Sequence, residues 1–288
     1  MKHIILLFSL FFCVFSLFSQ NDISAETHID WTECVIDINI LASLPSQVNV
    51  LPEAKIQAEN KIDEAIPVII QLAMENALIN SSTSVLDRLK RDLHLTSLID
   101  NYSTDQYKKR ANLSKDMLNL HAFYRIPLYP DFCSTFITHK KAAPVKKVLH
   151  YVPSQNYTGI IIYTDESLPI FGENKKSPLN PCLFPRILSD KGEIIFSCEN
   201  IDPETLKTGG AVLYVDHIDK VPVQRVGIYP LKIQAVAVYG KNRTDVVIPT
   251  YLADAILTRE HNRKLLSDAK IAIVCSKDKI KTQLYFNH

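Results

Sequence analysis

Hydrophobic and polar residues change period several times along this chain. In residues 28–42 (HIDWTECVIDINILA), Cys34, Ile36, Ile38 and Ile40 share one face and Asp37 and Asn39 the other, which predicts a strand. Pro45 and Pro52 bracket a loop. From Glu53 the period lengthens: Ile62, Ile66, Ile69 and Ala73 fall on one face of a helix. Pro67 lies inside that stretch and predicts a kink or a break, and Asn80-Ser81-Ser82 predicts the turn that ends it. Val85 to Asp100 reads as a second helix through Leu86, Leu89 and Leu93, whereas residues 102–116 are polar and charged with no clear period. Leu118 to Leu128 alternates as a strand and stops at Pro127 and Pro130. The stretch 131–153, with Lys140-Lys141 and Lys146-Lys147, reads as a solvated connection between two halves.

The second half is more sharply punctuated. Tyr157 to Tyr163 is a short apolar run of the kind a buried strand shows, and residues 172–181 have loop composition. Leu183 to Leu188 and Glu193 to Ser197 flank Ser189-Asp190-Lys191-Gly192, a hairpin signal. Ile233, Ala235, Ala237 and Tyr239 would share one face of a strand, Gly240 to Arg243 is a turn, and Asp245 to Ile248 a further strand. Tyr251 to Ala269 has an apolar side (Leu252, Ala255, Ile256, Leu265, Leu266) and a charged one, as a single amphipathic helix would, and Ile271 to Cys275 reads as the final strand. The predicted class is α+β. A small strand–helix–strand domain spans 27–130, a connecting segment 131–153, and a strand-rich domain with one main amphipathic helix 154–285.

The first residues carry an address. Lys2 and His3 precede an uncharged Leu- and Phe-rich run from Ile4 to Ser19, followed by polar Gln20-Asn21-Asp22, which is the layout of a secretory signal peptide over residues 1–19. The run is short for a membrane span, although an uncleaved N-terminal anchor is the alternative reading. Cys13 sits between Phe11-Phe12 and Val14-Phe15, inside the apolar run, and so does not look like a lipid-attachment cysteine. The expected location is exported, in the periplasm or at the outer membrane.

Charge changes the picture little. The 288 residues hold 32 basic and 31 acidic side chains, and removing residues 1–19 takes away only Lys2. A chain so near neutrality, without a basic stripe, has no electrostatic footprint for nucleic acid. All 7 glycines lie between Gly159 and Gly240, so a Gly-rich phosphate loop elsewhere is excluded.

Candidate chemistry is sparse. Asp216-His217-Ile218-Asp219 is the one dense acid–histidine cluster, and two carboxylates around an imidazole suit metal binding or general-base work. Its setting at a strand end and loop before Pro222 favours a plain surface turn over a functional site. The cysteines after the leader are Cys34, Cys133, Cys182, Cys198 and Cys275, an odd number with no zinc-like spacing. A three-residue hairpin loop with a Gly bulge would set Cys182 opposite Cys198, within disulfide range, but two unlinked buried thiols are the preferred reading and the disulfide the alternative. Asn-x-Ser/Thr triplets at Asn80, Asn101, Asn112, Asn156 and Asn242 would matter only in a eukaryotic secretory pathway.

Tyr157-Thr158-Gly159-Ile160-Ile161-Ile162, followed by Pro185-Arg186-Ile187-Leu188-Ser189-Asp190-Lys191-Gly192-Glu193, resembles the C-terminal region of Lpp-twenty lipoprotein-like bacterial envelope proteins. Pro230 to Ala235, Gly240 to Ile248 and Leu266 to Cys275 are similar to its later blocks. Glu53-Ala54-Lys55 and Ile126-Pro127-Leu128-Tyr129 are similar to its small α+β domain. The chain departs from the family in lacking a lipid-attachment cysteine. It also carries Tyr163-Thr164-Asp165-Glu166-Ser167 where an Asp-Ala-Arg-Gly stretch is common, and residues 172–181 look like an insertion. The resemblance implies a structural envelope component, some relatives being associated with flagellar assemblies.

The expectation is therefore an exported, non-enzymatic protein that acts through envelope protein partners, with no catalytic, cofactor-binding or metal residue and with membrane contact only through an uncleaved leader. The alternatives are a module that binds a small ligand or cell-wall glycan in the cleft between its halves, and an exported hydrolase.

Overall fold

The computed structural model describes residues 22–45, 50–92, 95, 97, 102, 107–150, 152–164 and 166–287. The leader, and most of the second predicted helix beyond Leu89, lie outside the described residues.

The segment predicted as one strand begins as a hairpin. β1 (Ile23–Asp30) turns at Trp31–Cys34 into β2 (Val35–Ser43), and Cys34 takes a positive φ of 55° in that turn. Asp30 forces the turn, because its Oδ1 accepts from the amides of Thr32 (3.0 Å) and Glu33 (3.1 Å). α1 (Leu51–Glu75) follows and runs through Pro67 without interruption. Ile62, Ile66, Ile69 and Ile70 are all at most 3% exposed on either side of the proline. Burying each contributes about 1.5–3 kcal/mol, which together outweighs one lost hydrogen bond. α2 (Val85–Leu89) starts at a capping box between Ser84 and Asp87.

β3 (Lys108–Leu113) lies in the stretch that showed no period, and it pairs with β4 (Asn119–Pro127) across a bulge. β3 shows no clear period in the sequence because its outward residues Arg110 and Asn112 are polar and only Ala111 and Leu113 are apolar. A helical turn, Leu128–Phe132, leads into the irregular connection.

The second half opens with β5 (Ile160–Tyr163), followed by a small ribbon of β6 (Leu168–Pro169) and β7 (Lys176–Ser177). β8 (Ile187–Ser189) and β9 (Ile194–Phe196) form the expected hairpin, but Ile187 faces Phe196 and a bulge shifts the register by two to three residues from that expected. Cys182 and Cys198 therefore fall beyond the paired residues, and both are unlinked. α3 (Pro203–Gly209), β10 (Leu213–Val215) and α4 (Val223–Val226) come next. The strand expected over 233–239 is two strands in different sheets, β11 (Leu231–Gln234) and β12 (Ala237–Tyr239).

After β13 (Asp245–Ile248) the single amphipathic helix predicted over 251–269 is broken into α5 (Thr250–Thr258) and α6 (Glu260–Ser267). Arg259 is extended there (φ −100°, ψ 135°). The break is held from α6. Buried Asn262 donates to the Gln155 carbonyl (2.9 Å) and accepts from the Tyr157 amide (3.1 Å), while Arg263 donates to the Leu257 carbonyl (2.8 Å) at the end of α5. β14 (Ile271–Val274) is not the last strand. α7 (Lys277–Ile280) leads to β15 (Lys281–Asn287), which returns to the first half and pairs with β1.

Three larger layers result. A five-stranded antiparallel sheet has the order β15-β1-β2-β4-β3, with α1 packed on its inner face. A four-stranded sheet, β10-β14-β5-β11, is parallel throughout. Its unbroken runs, such as Ile160-Ile161-Ile162 and Ile271-Ala272-Ile273, are buried on both faces, as parallel strands require. A mixed sheet, β12-β13-β8-β9, completes the second half. The class is α+β, with a strand–helix first part and a strand-rich second part. One cluster of buried side chains runs from Ala25 to Ile280 and joins the halves.

Candidate functional site

The outer face of the five-stranded sheet is a shallow concavity of about 570 Å³. Alternation puts Ala25, Thr27, Ile29 and Ile36, Ile38, Ile40 inward, and sends Glu26, His28, Asp37, Asn39, His121, Phe123, Arg125 and Arg110 outward. One row across the strands is Tyr285, Glu26, Asn39, Phe123, Arg110. The next is Gln283, His28, Asp37, Arg125.

The second row is electrostatically closed. Asp37, expected on a polar face, is only 4% exposed. Arg125 grips it with both prongs (Nε–Oδ1 2.7 Å, Nη2–Oδ2 2.7 Å), and His28 Nε2 lies 3.4 Å away. Hydrogen bonding to Asp37 raises the Arg125 pKa further above its ordinary value. Beyond this row Lys281 pairs with Asp30 at 2.8 Å. Burial opposes ionisation of Asp30, but the Lys281 ammonium and the Glu33 and Thr32 amides together hold its carboxyl below the usual range.

The first row is open. Arg110 makes no ion pair with a described carboxylate; its guanidinium lies 5.1 Å from the centre of the Phe123 ring. Tyr285 is 72% exposed at the other end. Asn39, His121 and Asn112 are also exposed on this face.

The cluster singled out in the sequence sits elsewhere, at the C-terminal end of β10. Asp216 pairs with Lys220 (2.7 Å), and chiefly this bond lowers its pKa. His217 Nδ1 lies 3.2 Å from Asp219 Oδ2, and both side chains are largely exposed. The cluster thus resolves into two local pairs on a 3-10 turn, Ile218–Lys220. Among the described residues no three His, Cys, Asp or Glu side chains are grouped to hold a metal ion.

The five cysteines among the described residues are free. Burial pushes the Cys34 and Cys198 thiols up to about 11 and those of Cys182 and Cys275 up to about 12. Such thiols hold little thiolate at neutral pH and behave as small apolar groups.

Between the halves lies a groove of about 340 Å³ with Phe136 and Phe184 in its wall. Its charged floor is already used: Arg186 is bound to Asp245 (2.6 Å) and to Ser81 Oγ (2.9 Å). Asn80 and Asn242, two of the Asn-x-Ser/Thr positions, serve the same joint, with Asn242 Nδ2 donating to the Asn80 carbonyl at 2.9 Å. No helix among the described residues is long and apolar enough to cross a membrane.

These features define a two-part α+β protein whose halves share a core and whose five-stranded sheet leaves a shallow concave outer face. Residues 22–135 match the family model described as Treponema pallidum Tp0624, N-terminal domain, and residues 159–277 match that described as Treponema pallidum Tp0624, second domain. In both halves, then, the chain is similar to domains of that bacterial protein, and both matches stop short of β15. None of the curated proteins matches the chain.

Proposed function

We propose that this chain is an exported, non-catalytic protein of the bacterial envelope, related to the Lpp-twenty lipoprotein-like proteins, that holds other proteins in an outer-membrane or flagellar assembly. The leader-like residues 1–19 and the blocks around Pro185–Glu193 and Gly240–Ile248 support the relationship. Similarity to two domains of a bacterial protein is consistent with it.

The observation that carries the contact role is the short helix α4 together with its connection to β11. It exposes Val223 (58%), Ile228 (70%) and Tyr229 (72%). The loop is pinned under these side chains. Thr158 Oγ1 donates to the Val226 carbonyl (2.8 Å) and accepts from the Tyr229 amide (2.9 Å), and the Thr158 amide donates to the Tyr229 carbonyl (3.1 Å). Gly227, at φ 69°, closes the turn against Thr158, where a Cβ would collide. A fixed apolar group on the surface is what a protein partner can bury at small ordering cost.

The test is a photo-crosslinking residue placed at Ile228 in intact bacteria. The expected result is a discrete adduct with an envelope protein, lost in a V223S/Y229S variant whose thermal unfolding is unchanged. Failure to capture any protein, or fractionation of the full-length product with the cytosol, would overturn the proposal.

A further inference from the structure

We propose that the outer face of the five-stranded sheet is a binding site for an acidic oligosaccharide laid across the strands from Tyr285 to Arg110. The site is separate from the Val223–Tyr229 surface and does not rest on the contact role.

Direction comes first. Neighbouring strands lie about 4.8 Å apart, so the row from β15 to β3 is roughly 19 Å long. Inside the sheet the backbone groups are consumed by the ladders. A ligand on this face can be reached only by side chains. A peptide that adds itself as a strand would instead need an edge.

Charge comes next. On the same face Asp37 is saturated by Arg125, and Asp30 is answered by Lys281. Arg110 is the guanidinium left without a carboxylate among the described residues, and the Phe123 ring, rather than an acid, positions it. A guanidinium so held keeps its N–H fork free for a planar carboxylate. Glu26 lies in the same row, which disfavours a dense polyanion such as nucleic acid. One carboxyl at the Arg110 end, with neutral polar groups beyond it, fits this distribution.

The remaining side chains name those neutral groups. Asn39, His121 and Asn112 both donate and accept, and Glu26 accepts. Sugar hydroxyls, which also do both, match such a mixed set. At the far end Tyr285 offers an exposed ring to the apolar face of a sugar. Gln283 Nε2 steadies that ring, donating to the Tyr285 hydroxyl at 2.6 Å and to Glu26 as well.

Calorimetric titration of the purified full chain with aldotriouronic and aldotetraouronic acids, which carry a single uronic carboxyl at one end of a neutral xylo-oligosaccharide, tests this, with neutral cellotetraose and a glutamate-rich peptide as comparators. Saturable binding of the acidic sugars is expected, with cellotetraose weaker by about ten-fold or more, since a charge-assisted pair is lost. Arg110→Gln should weaken the acidic ligand by a similar factor, and Tyr285→Ala should also weaken it, with unfolding temperatures unchanged. Should Arg110→Gln disturb folding, Asn112→Ala alters the same groove without touching Phe123 and should still weaken binding. Absence of saturable binding, equal affinity for cellotetraose, binding of the peptide but not the sugars, or unchanged affinity in all of these variants would each overturn the proposal.

Discussion

Arg186 joins more parts of this protein than any sequence motif suggested. Its Nε (2.9 Å) and Nη2 (2.6 Å) bind Asp245 Oδ2, its own amide binds Asp245 Oδ1 (3.0 Å), and Nη2 reaches Ser81 Oγ in the other half (2.9 Å). Asp245 is fully buried. Removing the guanidinium strands a carboxylate with no water to turn to, so Arg186→Leu should destabilise the fold by about 3–5 kcal/mol. Urea unfolding checks this, and Asp245→Asn added to Arg186→Leu should recover part of the loss. Arg186 belongs to the Pro-Arg-Ile-Leu stretch and Asp245 to a strand legible in the sequence, yet nothing in either pattern shows that they meet. They are 59 positions apart, and only the parallel pairing of β8 with β13 brings them together.

At the scale of elements, β15 is an edge strand tied to β1 by a ladder and by the Asp30–Lys281 pair. Asp30 has a folded-state pKa below its unfolded one, so its contribution is present above the unfolded value, near 3.9, and is lost as pH falls through the folded value. Lys281 has a raised folded-state pKa, so its contribution is present below about 10.4 and is lost as pH rises through the folded value. Between these limits the pair is intact. Amide exchange in 281–287 should therefore quicken below about pH 4 relative to the inner strand β2, and Lys281→Met should remove that extra acid sensitivity. Equal acceleration in β2 would contradict it. The two helices α5 and α6 teach a related lesson. Their apolar spacing is continuous, but the buried amide of Asn262 and the guanidinium of Arg263 interrupt the helix by claiming backbone groups around it.

For the molecule as a whole, the two halves share one core and are hydrogen-bonded to each other directly. The amides of Leu183 and Phe184 donate to the Leu78 and Ile79 carbonyls (3.0 and 2.8 Å), and the Trp31 amide donates to the Ile280 carbonyl (3.0 Å). Ile280, 2% exposed, belongs to the shared core. Calorimetry of the intact protein should show a single transition. Ending the chain after Ser276 removes α7 and β15 and uncovers β1. The midpoint should then fall by several degrees, at roughly 2–4 °C per kcal/mol lost for chains of about this size. Two separate transitions in the intact protein would contradict the shared core.

Periodicity alone, then, identified α1, β2, β4, the apolar core of β5 and β14, and the α+β class, because alternation and helical spacing are written locally wherever one face is buried. It missed β3 and the return of β15, whose outward faces are polar, and it merged β11 with β12, whose shared spacing conceals a change of sheet. It also pointed to Asp216–Asp219, a dense motif that folds into two local pairs, Asp216 with Lys220 and His217 with Asp219. The open row on the sheet was invisible because its members come from five strands, and each is an ordinary surface residue alone. Only the register, a long-range property set by which strands pair, lines them up and decides which charges are answered and which guanidinium is left over.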